Sequence, residues 1–123
     1  GAAARAERGD GLMRILFVCL GNICRSPTAH GVFRDIAGRE APGLVSEVDS
    51  AGTAGYHVGE PPDPRTCRVA AQRGYDLRDL RARHVERADF QRFDLLLAMD
   101  GANLQALRAI APAAHRGRAQ LFL

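Results

Sequence analysis

A loop between a predicted strand and a predicted helix constrains the fold of this chain more than any other segment. Residues 15–18 form an unbroken apolar run, and the segment that follows begins with Cys19 and ends with Arg25. Pro27 is favourable in the first turn of a helix, so we predict a helix directly after the loop. This order directs the loop amides and the positive end of the helix dipole at one point, where an anion can bind.

Cys19 and Arg25 give the predicted anion site its chemistry. Cys19 would lie at the floor of the site as a nucleophilic thiolate, and Arg25 can bind two phosphate oxygens with its planar guanidinium. The pattern Cys-x5-Arg alone is weak, since a cysteine at a strand end is often only a small buried residue. Gly21 and Asn22 tolerate left-handed backbone, and Ser26 can donate a hydrogen bond to the thiolate. Together they favour a phosphate-binding loop with a nucleophile.

Length and composition predict one domain and exclude several classes of function. The chain has 123 residues, and its net charge of +3 comes without a basic run or an aromatic platform for nucleic acid. No apolar stretch is long enough to span a membrane. The 3 cysteines show neither a secreted disulfide pattern nor metal-ligand spacing with the histidines. We therefore expect a cytoplasmic protein with no metal and no cofactor.

Alternating apolar runs and amphipathic stretches predict an α/β fold. We predict strands at residues 14–19, 45–51, 95–99 and 119–123, helices at 28–39, 64–74 and 103–111, and a short helix at 85–90. This alternation indicates a parallel sheet with helices on both faces, a three-layer fold with the loop at the carboxyl edge of the sheet. Residues 1–11 lack the apolar core of a signal peptide, and we expect a disordered extension or a remnant of cloning.

The segment from Cys19 to Pro27 resembles the signature loop of the low-molecular-weight protein tyrosine phosphatases. Further matching segments are residues 49–53, 58–59, 62–65, 93–100 and 103–104, so the resemblance covers nearly everything from Met13 to Leu123. It implies a four-stranded sheet in the flavodoxin-like order 2-1-3-4. It also implies hydrolysis of phosphotyrosine in a protein substrate, with Cys19 as nucleophile and Arg25 as phosphate clamp. The sequence does not indicate an oligomeric state.

The resemblance also assigns roles around the loop. The implied phosphate-binding loop consists of Leu20, Gly21, Asn22, Ile23, Cys24 and Ser26. Ser50 matches a family serine that supports this loop, although an ordinary strand-end serine is the alternative. Tyr56 occupies an aromatic position of the family and can line the substrate cleft, with an exposed loop tyrosine as the alternative. Cys24 either forms a reversible disulfide with Cys19 that protects the thiolate or is a packed loop thiol.

Four residues outside the loop carry weaker predictions. We expect His30 to be a solvated helix residue, His115 a loop residue and Cys67 a buried helix residue. Some members of the family have a histidine near the position of Leu80. This chain lacks it, which leaves open what supports Asn22.

The family carries its general acid in an Asp-Pro-Tyr motif, which residues 1–123 do not contain. We therefore expect residues 12–123 to be a phosphatase domain without its C-terminal acid loop and last helix, as in a truncated longer protein.

Two other functions stay open. One is an arsenate reductase of the same fold, disfavoured because its relay needs further paired cysteines and only Cys67 lies outside the loop. The other is a non-catalytic phosphate-binding module, if the acid loop is absent.

Overall fold

The computed structural model describes residues 12–122 and contains a parallel four-stranded sheet in the order β2-β1-β3-β4. The strands are β1 (Met13–Cys19), β2 (Val45–Gly52), β3 (Leu95–Ala98) and β4 (Ala119–Leu121). The helices are α1 (Arg25–Glu40), α2 (Pro64–Gln72), α3 (Asp89–Arg92) and α4 (Gly101–Ile110), with a 3-10 helix at Ala113–Arg118. The predicted fold class and strand order are confirmed. The extension predicted at residues 1–11 lies outside the described residues.

The apolar run makes β1 a central strand with both of its faces covered. Leu16 is fully buried and packs in a core that includes Leu107 of α4. Phe17 points to the opposite face, where its ring centroid lies 5.7 Å from that of Phe33 in α1. Successive strand residues alternate between faces, so one run of apolar residues fills two cores. Helices therefore lie on both sides of the sheet, as the three-layer prediction requires.

A second, smaller apolar cluster packs beside α1. It contains Ala70 of α2 together with Leu77 and Leu80. A Cβ atom at Gly31 would lie only 2.1 Å from Leu77 Cδ2, so α1 requires glycine there to approach this cluster. Leu80, near which some members of the resembled family have a histidine, is a buried member of this cluster.

The structure differs from the predicted helices in three places. Helix α1 begins at Arg25 and not at the predicted residue 28. The prediction relied on the apolar face of the helix, and the first turn carries polar site residues that do not belong to this face. The short helix predicted at residues 85–90 is wrong. The amide of Val85 donates to the carbonyl of Gly52 (2.8 Å) as in a strand, and the helix is Asp89–Arg92. The 3-10 helix, which contains His115, was not predicted.

The carboxyl ends of β1, β2 and β3 meet at one edge of the sheet. Because β2 and β3 lie on opposite sides of β1, this edge has a crevice directly beyond Cys19. The predicted loop therefore opens where parallel α/β sheets usually bind their ligands. Within residues 12–122, no helix combines the length and apolarity needed to cross a membrane.

Candidate active site

The loop begins at the buried end of β1 and passes very close to the end of β2. Amides after β2 hold its first residues, since Thr53 N donates to Cys19 O at 2.9 Å and Ala54 N donates to Leu20 O at 3.0 Å. A Cβ atom at Gly52 would lie 2.7 Å from Leu20 O. Only glycine allows this approach, so the end of β2 fixes the start of the loop.

The Cys19 sulfur lies beneath the loop and has two polar neighbours. The amide of Asn22 donates to Cys19 Sγ at 3.3 Å, and Ser26 Oγ lies 3.0 Å from the same sulfur. Asn22 has a φ of 58°, in the left-handed region that asparagine tolerates better than most residues. Its Nδ2 donates to Ser26 Oγ at 2.8 Å, so the hydroxyl proton of Ser26 is free to point at the sulfur. This arrangement stabilises a thiolate at Cys19.

The side chain of Asn22 is held from outside the loop by Arg83. Asn22 Oδ1 accepts a hydrogen bond of 3.0 Å from the main-chain amide of Arg83. The Arg83 guanidinium contacts both carboxylate oxygens of Asp89 (3.0 and 2.9 Å) and one of Asp49 (3.0 Å). The main-chain amide of Arg83 thus supports Asn22, whose supporting residue the sequence analysis left open because the family histidine is absent. Sequence reasoning missed Arg83, because a main-chain hydrogen bond leaves no side-chain signal.

Arg25 lies at the mouth of the loop in the first turn of α1. Its Nη1 lies 2.9 Å from Asp100 Oδ2, and its side chain is half exposed. The other oxygen of Asp100 accepts from Asn103 N at 2.8 Å, which caps the start of α4. Both hydrogen bonds lower the pKa of the Asp100 carboxyl, and the one from the Asn103 amide has the larger effect. Asp100 therefore stays ionised and holds the Arg25 guanidinium next to the start of α4.

The start of α1 leaves its positive dipole end uncompensated. Cys24 is the N-cap residue and makes no side-chain cap, and the first turn contains no acidic residue. Cys24 itself is exposed and free. Within the described residues no group of three His, Cys, Asp or Glu side chains is arranged to hold a metal ion. The positive field around Cys19 comes from amides, the helix terminus and Arg25.

Asp63 supports the loop from the start of α2. Its amide donates to Ile23 O at 2.8 Å, and its Oδ1 accepts from the amides of Arg65 (2.8 Å) and Thr66 (3.2 Å). The same residue therefore caps α2 and anchors the middle of the loop.

His57 flanks the loop on the side of Gly21, and Tyr56 lies beside His57. A Cβ atom at Gly21 would lie 3.0 Å from His57 Cδ2, so His57 packs directly over this glycine. The imidazole of His57 is 2.6 Å from Glu60 Oε2. The ring of Tyr56 is 76% exposed, and its centroid is 6.5 Å from that of His57. Its role as a wall of the substrate cleft stays a prediction.

His30 is buried, so the prediction of a solvated residue is wrong. It follows Ser26 by one helical turn and shares the face of α1 that packs on the sheet. Its Nδ1 lies 3.0 Å from Ser50 Oγ on β2. Ser50 thus connects β2 to α1 one turn beyond the loop. Cys67, predicted to be buried in its helix, is only partly buried and lies 3.7 Å from Pro62 O.

The buried His30 should make stability depend on pH. Burial lowers the pKa of His30 from 6.5, because desolvation disfavours the imidazolium more than the nearby Asp49 favours it. Below about pH 6.5, His30 binds a proton in the unfolded chain but stays neutral in the folded protein until the pH reaches its lower folded pKa. The free energy of unfolding should therefore be highest above this pH and fall as the pH drops toward the folded pKa.

Urea unfolding at pH 7.5 and 5.5, for the parent and for His30→Gln, measures this effect. Glutamine can still bond to Ser50 but does not titrate. We expect the variant to lose less stability between the two pH values than the parent. Equal losses in both proteins would show that His30 does not contribute.

Comparisons with known proteins place the chain in one family. A family model for low molecular weight phosphotyrosine protein phosphatase matches residues 14–123. A phosphatase of that name from Schizosaccharomyces pombe is 44% identical over 113 residues, which cover 89% of this chain and 70% of the yeast protein. A low molecular weight protein-tyrosine-phosphatase from Streptomyces coelicolor is 50% identical over 99 residues, covering 80% of this chain and 60% of that protein.

A solved structure shows the same likeness in three dimensions. The crystal structure of YfkJ from Bacillus subtilis matches with a TM-score of 0.83 and 38% identity, covering 89% of this chain and 69% of that chain. The chain thus spans 60 to 70% of the length of these relatives. On its sequence match and its structure, the chain belongs to the low molecular weight phosphotyrosine protein phosphatase family.

Proposed function

We propose that this protein hydrolyses phosphotyrosine in protein substrates through a phosphocysteine intermediate on Cys19. The observation that carries the proposal is the placement of the Cys19 sulfur, 3.3 Å from the amide of Asn22 and 3.0 Å from Ser26 Oγ. Both donors favour the thiolate form, and the start of α1 adds a positive field for a phosphate. The activity named for the relatives supports the same proposal.

The first chemical step transfers the phosphoryl group to sulfur. The Cys19 thiolate attacks phosphorus in line, so that the S–P bond forms as the bond to the tyrosyl oxygen breaks. Loop amides and Arg25 stabilise the charge on the three other phosphate oxygens. Water then attacks phosphorus and releases a proton as the S–P bond breaks, and Ser26 can donate to the departing thiolate. The phenolate from the first step takes up a proton, so the two proton transfers balance. The products are tyrosine and inorganic phosphate.

The phenolate leaving group needs a proton, and the carboxyl of Asp100 at the mouth of the loop is a poor donor. The pKa of Asp100 is lowered by the Asn103 amide and by Arg25, so this carboxyl is ionised at neutral pH. Asp63 accepts from two amides as the cap of α2. We assign the general acid to neither residue. The expectation that residues 12–123 lack the acid loop and last helix of the family stays a prediction.

The depth of the sulfur favours phosphotyrosine over phosphoserine. Cys19 is only 4% exposed, and the long phenyl ring carries its phosphate further from the peptide backbone than a serine side chain does. The exposed Tyr56 can stack on such a ring at the entrance.

We propose a cytoplasmic location for this protein. Cys19, Cys24 and Cys67 are all free thiols, which is typical of proteins in a reducing compartment.

Matched phosphopeptides test the proposed substrate. We expect phosphate release from a phosphotyrosine peptide to exceed that from the same peptide with phosphoserine by roughly 100-fold or more in kcat/KM, because a short side chain cannot bring its phosphate to the sulfur. Comparable rates for the two peptides would contradict phosphotyrosine specificity. Binding of the phosphotyrosine peptide without turnover would instead indicate a phosphate-binding module.

A further inference from the structure

We propose that Arg83 is a positioning residue for the Cys19 thiolate. Its ion pairs with Asp49 and Asp89 fix a main-chain amide, and this amide sets the orientation of the Asn22 side chain in the loop. The catalytic part of this inference rests on the proposed phosphatase function, whereas its effect on the reactivity of Cys19 does not.

The Arg83 side chain is anchored in one geometry. Its three contacts with Asp89 and Asp49 are each 2.9 to 3.0 Å, and Asp89 is only 4% exposed. Main-chain amides fix both carboxylates, since Glu86 N donates to Asp89 (2.8 Å) and Ser50 N donates to Asp49 (2.8 Å). Burial opposes the charge on Arg83, but the two carboxylates outweigh it and raise the pKa of Arg83. The guanidinium therefore stays charged and paired.

The main chain of Arg83 connects this anchor to the loop. Arg83 O accepts from Gly52 N at 2.8 Å, at the end of β2, and Arg83 N donates to Asn22 Oδ1 at 3.0 Å. One residue thus contacts β2 through its carbonyl, two carboxylates through its side chain and the loop through its amide. Movement of the guanidinium would shift the amide that holds Asn22.

The amide of Arg83 decides which way the Asn22 side chain points. An N–H donor at this position requires an oxygen acceptor, so Asn22 Oδ1 faces Arg83 and its Nδ2 faces Ser26. In the opposite orientation, two N–H groups would face each other. The correct orientation leaves the proton of Ser26 directed at Cys19 Sγ, 3.0 Å away. Three hydrogen bonds therefore run in one direction from Arg83 to the sulfur, and such chains strengthen one another.

The chain offers a matched control for the ion pairs of Arg83. Arg92 of α3 pairs with Glu47 on β2, so it also links the segment after residue 80 to the same strand. Glu47 pairs with Arg14 in the β1–β2 register, toward the amino end of β1 and away from Cys19. Loss of this second pair removes an arginine and an ion pair without touching the loop.

The experiment compares Arg83→Gln with Arg92→Gln. The rate at which iodoacetamide alkylates Cys19 is measured between pH 4 and 9, with the modified residue located by fragment mass spectrometry. We expect Arg83→Gln to move the midpoint of this profile upward by about one unit, because a donor to the thiolate is misaligned. Its kcat for an aryl phosphate should fall about tenfold with a smaller change in KM, since Arg25 still binds phosphate. Arg92→Gln should change neither quantity.

An unchanged midpoint in folded Arg83→Gln would overturn the inference, as would an equal shift in Arg92→Gln. If Arg83→Gln does not fold, Asp49→Asn weakens one of the three contacts, and we expect a smaller shift in the same direction. No shift in a folded Asp49→Asn protein would then overturn the inference. Alkylation needs no turnover, so a parent protein that fails to hydrolyse phosphotyrosine contradicts the proposed function and leaves this test intact.

Discussion

Cys19→Ser should abolish the hydrolysis of aryl phosphates while the protein still folds and binds phosphate. We expect a loss of at least about 10⁴-fold in kcat, because a neutral hydroxyl replaces an anionic nucleophile and no phosphocysteine can form. The loop amides, the start of α1 and Arg25 are unchanged, so the site keeps its positive field. Rates with p-nitrophenyl phosphate and phosphate affinity by calorimetry measure the two properties separately.

Cys67→Ser is the matched control for this substitution. Cys67 lies on α2, outside the loop, and its sulfur contacts a carbonyl oxygen 3.7 Å away. The same loss of sulfur should therefore leave kcat within a few-fold of the parent. If Cys19→Ser retains turnover comparable to that of Cys67→Ser, the phosphocysteine mechanism is wrong.

The parts of the site that could be predicted from sequence are those that local chemistry determines. The buried run of β1 and the left-handed Asn22 follow from residue type and position in the chain. The cap at Asp100 is also local, because it depends on a carboxylate three residues before an amide. These features need no knowledge of what packs against them.

The features that sequence reasoning missed depend on packing between distant segments. His30 looks like a surface residue along α1, and only the approach of β2 gives it Ser50 as a partner. Residues 85–90 were predicted to form one short helix, yet Val85 pairs with the end of β2 and Phe90 fills the core from α3. Arg83 supports the loop through a main-chain amide 61 residues from Asn22, so no local pattern reveals it.

Arg25→Lys should retain the positive charge and still lose most of the activity. Asp100 contacts Nη1 of Arg25, at 2.9 Å, and a guanidinium has further N–H donors that can bind two phosphate oxygens side by side. A lysine ammonium is a point charge and cannot bind both oxygens in one plane. We expect kcat/KM for an aryl phosphate to fall about 100- to 1,000-fold, the loss typical of removing one donor to a transition state.

The comparison of Arg25→Lys with Arg65→Lys separates planar phosphate binding from a general effect of arginine replacement. Arg65 is exposed on α2, and only its main-chain amide contributes to the cap by Asp63. The Arg65 variant should therefore match the parent. Asp100→Asn provides the intermediate case: it keeps the guanidinium but weakens the contact that orients it, so we expect a loss smaller than that of Arg25→Lys. Activity of Arg25→Lys within a few-fold of the parent would show that charge alone binds the phosphate, and the clamp assigned to Arg25 would then be wrong.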